Sequence, residues 1–173
     1  DNTISLKDGR TLGYAEYGDP KGKPLFFLHG WPSSRFHGAI VDTSAKKLGI
    51  RVISPDRPGY GLSTFSKDRT LLDWADDVVE LADKLKIKKF AVMGVSGGGP
   101  YAAVCAYRIT KTRLTRTGII VGVSPKDARK EMFRGMSLVA RLSWDAYHRF
   151  PFLIDVVSSY FWLEAKKAVP VVF

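Results

Sequence analysis

A serine at position 96 lies in the pentapeptide Gly94-Val95-Ser96-Gly97-Gly98, a G-x-S-x-G pattern. It stands between the apolar run Phe90-Ala91-Val92-Met93 and the small-residue stretch Tyr101-Ala102-Ala103-Val104-Cys105-Ala106. The first flank predicts a strand and the second a helix, so the serine falls on the turn between them. A turn of this kind holds the serine on strained backbone, its small neighbours let the chain reverse, and Oγ projects clear of the sheet. Nucleophilic attack requires that placement. A hydroxyl at neutral pH is still a weak nucleophile, so the chemistry also needs a base to take its proton, an acid to hold that base, and donors for the developing oxyanion.

Upstream, Pro24-Leu25-Phe26-Phe27-Leu28 reads as a buried strand running straight into His29-Gly30-Trp31-Pro32, which sets a second turn facing the first. A helix over roughly 34–48 is expected next, then a short strand, Arg51-Val52-Ile53-Ser54, ending in Pro55-Asp56-Arg57-Pro58-Gly59-Tyr60-Gly61-Leu62-Ser63. Together these segments resemble the α/β-hydrolase superfamily. The matching positions are the HG-x-P loop, the D-R-P-G-x-G-x-S loop and the G-x-S-x-G turn, in that order, over roughly residues 3–125. The resemblance implies that Ser96 is the nucleophile and that the oxyanion hole is formed by the backbone N–H groups of Gly97 and Trp31. It makes His29 and Gly30 loop-shaping residues, with His29 hydrogen-bonding neighbouring backbone. It implies no cofactor and no metal. The expected reaction is cleavage of an ester, thioester or lactone-type acyl substrate through an acyl-enzyme, because aspartate at position 96 would have pointed to epoxide or haloalkane relatives.

The base and acid are harder to place. His29 has the residue type of a base, but the resemblance gives it the shaping role; His37 falls inside the following helix as a surface or packing residue. Asp56 and Arg57 open a loop that they most simply fix to its neighbours, and Cys105 reads as a small packed residue. On this fold the triad runs Ser, then Asp or Glu, then His. Asp127 and His148 satisfy that order as low-ranking partners, yet His148 belongs to Trp144-Asp145-Ala146-Tyr147-His148-Arg149-Phe150, a helical pattern with no strand before it. The more economical expectation is that the strands delivering acid and histidine lie beyond this sequence, on a further segment or a separate chain. A sheet ending near residue 123 would leave an apolar edge to be covered, and Ala168-Val169-Pro170-Val171-Val172-Phe173 is apolar for a solvated terminus. The competing reading is a non-catalytic hydrolase-like binding module lacking the triad acid and histidine.

The remaining pattern is α/β. Thr3–Leu6 and Thr11–Tyr17 alternate as paired strands around the Asp-Gly turn of Lys7-Asp8-Gly9-Arg10. Thr70 and Asp73 form a T-x-x-D capping box. Leu71, Leu72, Ala75, Val78, Val79, Ala82 and Leu85 recur at helical spacing opposite Asp76, Asp77, Glu80 and Asp83. Strands near 25–28, 51–54, 90–95 and 117–123 imply right-handed crossovers and a mainly parallel sheet with helices on both faces. Residues 1–127 are assigned to the N-terminal part of the hydrolase core, and 128–173 to a helical, cap-like segment with Pro151 dividing its runs.

At 173 residues, 45% hydrophobic and 25% charged, the composition is that of a globular domain. No apolar run approaches the roughly 18 residues of a membrane-spanning helix, and a cytoplasmic location is expected. Twenty-seven Lys and Arg against 17 Asp and Glu give +10, enough for weak attraction to anionic surfaces. The densest basic stretch, Arg108, Lys111, Arg113 and Arg116, has no interleaved aromatics to stack bases, which argues against specific nucleic-acid binding. The expected partner is a small acyl substrate.

Overall fold

The computed structural model describes residues 1–124, 128, 131, 133–150, 152, 156 and 159; Asp127 lies outside them. The chain divides into two compact units, Asp1–Val123 and Ser124–Phe173.

The first unit is built on a six-stranded sheet of strands β1 (Asn2–Ser5), β2 (Thr11–Gly18), β3 (Lys23–Leu28), β4 (Ile50–Pro55), β5 (Phe90–Val95) and β6 (Leu114–Ile120), in the order β1-β2-β4-β3-β5-β6. β1 and β2 form an antiparallel edge against β4, while β4, β3, β5 and β6 run parallel. In the β1–β2 turn Gly9 takes φ +86°, a left-handed conformation that glycine adopts without a Cβ clash. Both faces of the sheet are covered at its centre, while most of β6, Ile119 and Ile120 included, is exposed. Phe26 and Phe27, adjacent on β3, point to opposite faces and are both buried. Phe26 packs on Phe90 at 4.8 Å between ring centroids, in the larger core with Trp74, Val78 and Leu81. Phe27 joins Ala45 and Val52 on the other side. Two-sided burial explains why β3 reads as a continuous apolar run instead of an alternating one.

Helices α1 (Asp42–Lys47), α2 (Asp73–Lys84) and α3 (Gly99–Arg108) cover this sheet. The single helix expected over 34–48 is in fact a 3-10 helix, Arg35–Val41, followed by α1. Gly38 lets that first part lie close on the sheet, since a methyl group there would lie 2.8 Å from Ser54 Cβ and 2.9 Å from the Tyr17 ring. The start of α2 also differs from expectation. Asp73 accepts from both the Thr70 amide (2.7 Å) and its hydroxyl (3.1 Å), so the Thr70 side chain is not a helix cap; Leu71 and Leu72 precede the helix and stay exposed. Asp77, expected on the solvent face, is buried instead. Arg10 from the hairpin reaches over to donate two bonds to it, at 2.6 and 3.1 Å. The last strand, expected near 117–123, lies three residues earlier at both ends, at Leu114–Ile120. Its partner β5 stops at Val95, which pairs with Ile120, and beyond that point nothing remains to pair with.

The loop leaving β4 is fastened by a buried carboxylate. Asp56 is fully buried and accepts from the Arg35 amide (2.6 Å), the Arg35 guanidinium (2.9 Å) and the Leu62 amide (3.0 Å). Its own amide donates to the Gly13 carbonyl at 2.8 Å. Gly61 must lack a side chain here, because a methyl group would lie 2.1 Å from the carboxylate. Asp56→Ala leaves the buried Arg35 guanidinium only its Asp1 carboxylate at 2.9 Å and strips two amides of their acceptor, and is expected to cost about 3 kcal/mol. Urea denaturation checks this; a loss below about 1 kcal/mol would show that the carboxylate is not what fastens the loop.

In the second unit the described helix is α4 (Leu138–Arg149), capped by the Ser137 hydroxyl accepting from the Ala140 amide at 3.2 Å. His148 lies on its last turn. No helix among the described residues is long and apolar enough to cross a membrane.

Candidate functional site

Ser96 occupies the residue after β5 and opens a short 3-10 turn, Ser96–Gly98, that leads into α3. Its φ is +51°. For a residue with a Cβ that conformation costs about 1 kcal/mol, and it persists because the flanking glycines let strand and helix close on each other. A methyl group on Gly94 would sit 2.3 Å from the Gly98 carbonyl oxygen and 2.8 Å from Ala102 Cβ. One on Gly98 would sit 2.1 Å from the Leu28 carbonyl oxygen, so the start of α3 presses on the end of β3.

The loop after β3 arrives at the same place. Methyl groups built on Gly30 and Gly97 bring out how close the two turns are. The first would lie 3.1 Å from Ser96 Cβ and 3.6 Å from the Gly97 nitrogen, the second 3.3 Å from the Trp31 nitrogen. The Ser96 turn and the Gly30–Trp31 backbone thus lie against each other. A hydroxyl beside two backbone amides is an arrangement that can attack a carbonyl carbon and hold the oxygen that becomes negative.

His29 is fully buried, and both ring nitrogens are engaged. The Arg57 amide donates to Nε2 at 3.3 Å, which makes Nδ1 the protonated nitrogen; it donates to the Gly30 carbonyl at 2.9 Å. Burial pushes the imidazole down to about 4, against the raising effect of the Gly30 bond. In the unfolded chain it would titrate near 6.5. Between these values the unfolded state holds the extra proton, so this residue's contribution to stability is complete above pH 6.5 and is lost as pH falls toward 4, on the order of 3 kcal/mol in all. Stability measured by urea between pH 7 and 4 should fall less steeply in His29→Asn than in the parent; equal slopes would rule His29 out as the source.

His37 is half-buried on the 3-10 helix Arg35–Val41, edge-on to Phe27 at 5.4 Å. Among the described residues no side chain hydrogen-bonds Ser96 Oγ. Asp127 lies outside the described residues, and His148 falls on the last turn of α4, in the second unit. No group of three or more His, Cys, Asp or Glu could hold a metal ion among the described residues. Cys105 is buried on α3, and burial pushes its thiol up to about 12, unsuited to nucleophilic work at neutral pH.

Arg57 was legible in the sequence as a loop-fixing residue, but its aromatic surroundings were not. Its guanidinium lies 4.5 Å from the Tyr60 ring and 4.8 Å from that of Tyr101, and Nη2 donates to the Gly30 carbonyl at 2.9 Å. Tyr101, on α3, also accepts from Arg69 Nη2 at 3.2 Å. Burial raises the phenol's pKa, but Arg69 and Arg57 outweigh it and the net direction is down. The signal that could have singled out Tyr101 is its position five residues beyond Ser96, in the first turn of the helix into which the Ser96 turn leads.

A mainly parallel sheet with a serine on the sharp turn after a central strand, facing a histidine-glycine loop, defines a hydrolase scaffold. Residues 23–125 match the family model of the alpha/beta hydrolase fold, and the chain belongs to that family. Among curated proteins it is similar to a bifunctional esterase/perhydrolase of Acinetobacter calcoaceticus, 30% identical over 129 residues, covering 74% of this chain and 47% of that one. It is likewise similar to a non-heme chloroperoxidase of Streptomyces lividans, 30% identical over 124 residues, covering 71% and 45%. Among solved structures, a thermophilic esterase from Thermogutta terrifontis superposes with a TM-score of 0.59 at 26% identity, over 77% of this chain and 50% of that one. The chain spans about half the length of the curated relatives it matches.

Proposed function

We propose that the protein is a serine hydrolase of the esterase type, acting on an ester, thioester or lactone through an acyl-enzyme on Ser96. The observation that carries this reading is the left-handed Ser96 beside the backbone nitrogens of Gly97 and Trp31. In the proposed step Ser96 Oγ bonds to the acyl carbon while the hydroxyl proton passes to a base. The carbonyl oxygen becomes an oxyanion held by the two amides, and collapse expels the alcohol or thiol with a proton. Water then repeats the sequence to release the acid. The similar proteins whose names include esterase support the acyl substrate class. Residues 128–173, whose sequence carries Phe133, Trp144, Tyr147, Phe152, Phe161 and Trp162, are proposed to be a helical cap-like segment, a composition that suits an apolar acyl or alcohol group.

A fluorophosphonate probe tests the proposal. Its phosphorus accepts Oγ as fluoride leaves, and peptide mapping should place the adduct on Ser96. The competing reading, a hydrolase-like binding module without turnover, is favoured by one observation: His29 has both nitrogens occupied by backbone partners. It predicts no adduct at position 96, so the same experiment separates the two.

A further inference from the structure

We propose that Arg57 is a positioning residue for the Trp31 amide and thereby for the reaction at Ser96; the inference rests on the Ser96 reading above. The Gly30 carbonyl oxygen accepts from Arg57 Nη2 and from His29 Nδ1, each at 2.9 Å. That oxygen belongs to the same peptide unit as the Trp31 N–H. The Gly30–Trp31 bond is trans, the cis bond in this loop being Trp31–Pro32, and in a trans peptide the C=O and N–H point in opposite directions. Two donors gripping the oxygen therefore aim the N–H away from Arg57. On that side the Trp31 nitrogen approaches Gly97, 3.3 Å from where a methyl group there would stand. A positive charge at the acceptor end also polarises the peptide and strengthens the donor at its other end.

The surroundings of Arg57 suit this task better than simple loop fixing. The side chain is 5% exposed, Nε has no hydrogen-bond partner, and among the described residues no carboxylate pairs with it. The adjacent Asp56 is taken up by Arg35 and the Leu62 amide. A buried guanidinium so sparsely compensated is costly, and a neutral donor would pin the loop at lower cost. What the charge adds is the pull on the Gly30 carbonyl. The two rings that hold it come from the loop after β4 (Tyr60) and from α3 (Tyr101), the helix that begins at the Ser96 turn, so nucleophile and amide are tied to one clamp.

The test is Arg57→Met in the full chain, which keeps an apolar stem between the rings and removes the donor and charge. Three quantities are read: the Gly30 carbonyl-carbon and Trp31 amide NMR resonances, the rate of fluorophosphonate labelling mapped to Ser96, and the melting temperature. Expected are an upfield move of the Gly30 carbonyl carbon, a displaced Trp31 amide and labelling about tenfold slower, a partial loss of one oxyanion donor. The melting temperature should hold or rise, because a buried charge has gone. Arg57→Lys should not restore the rate, since an ammonium lacks the planar fork and its stacking. Unchanged resonances, an unchanged rate, or a rate that falls only in step with melting would each overturn the proposal. If Arg57→Met does not fold, Tyr60→Leu, which removes one face of the clamp, should produce the same resonance and rate changes at smaller amplitude, and their absence would overturn it. If the parent takes no adduct on Ser96, the reading of Ser96 fails and this inference with it; unmoved resonances beside a labelled parent would sink Arg57 alone.

Discussion

Ser96→Ala is expected to abolish fluorophosphonate labelling and to reduce esterase turnover by on the order of 10⁴-fold or more, while leaving stability within about 0.5 kcal/mol of the parent. The two halves of that expectation come from different physics. Removing Oγ leaves no atom at this position to form the acyl bond, and Cys105, on the helix that follows, is buried with its thiol pushed up to about 12. The backbone, by contrast, notices little. Serine and alanine both carry a Cβ and bear the same cost at φ +51°, and no side-chain hydrogen bond of Ser96 is lost among the described residues. Ser96→Gly should go further, matching the loss of labelling but gaining up to about 1 kcal/mol because the left-handed strain disappears. A site whose inactive variant is as stable as the parent, or more so, is one where strain is held for chemistry. Retained labelling in Ser96→Ala would move the nucleophile elsewhere and remove the basis of the acyl-enzyme reading.

How much of this was visible in the sequence follows the physical range of each signal. The Ser96 turn was legible because its demands are local: a strand, four glycines and a helix lie within about twenty consecutive residues, and each residue type answers a need of the adjoining backbone. The covered parallel strands were legible for a similar reason, since burial on both faces writes an unbroken apolar run such as that of β3. The misplaced features depend on partners far along the chain. Asp77 looks like a solvent-facing residue until Arg10, 67 positions earlier, folds over to meet it. The bounds of β6 are set by its pairing with β5, from Phe90 to Val95, so the strand expected near 117–123 was placed three residues too late at both ends. Arg57 was visible as a residue of the D-R-P-G loop, but its connection to the Gly30 carbonyl and to Tyr101 depends on packing across three elements. Asp127 and His148 satisfied an order along the chain, and order alone carries no distance.

Gly98→Ala is expected to be the most damaging single-methyl change in the first unit, costing more than about 4 kcal/mol and removing labelling at Ser96 together with the fold. The added Cβ would stand 2.1 Å from the Leu28 carbonyl oxygen and 2.9 Å from that of His29, both backbone atoms. A flexible side chain could rotate away from such an intrusion, but these carbonyls belong to the end of β3 and the loop that follows it. Leu28 is fully buried and pairs with Gly94 of β5, and His29 is tied through both ring nitrogens. Relief therefore requires α3 to lift from the sheet or β3 to slide along β5. Either movement separates Ser96 from the Trp31 amide, since the same turn carries the nucleophile and the same loop carries the donor. Gly118→Ala provides the contrast: on the edge strand β6 its nearest contact would be Met93 Cγ at 3.8 Å, ordinary van der Waals distance, and the change should stay within about 1 kcal/mol or stabilise slightly. Urea midpoints for the two variants, measured side by side, decide the matter. A Gly98→Ala protein as stable as Gly118→Ala would mean that α3 does not bear on β3 as described, and the closeness of Ser96 to Trp31 would lose its structural cause.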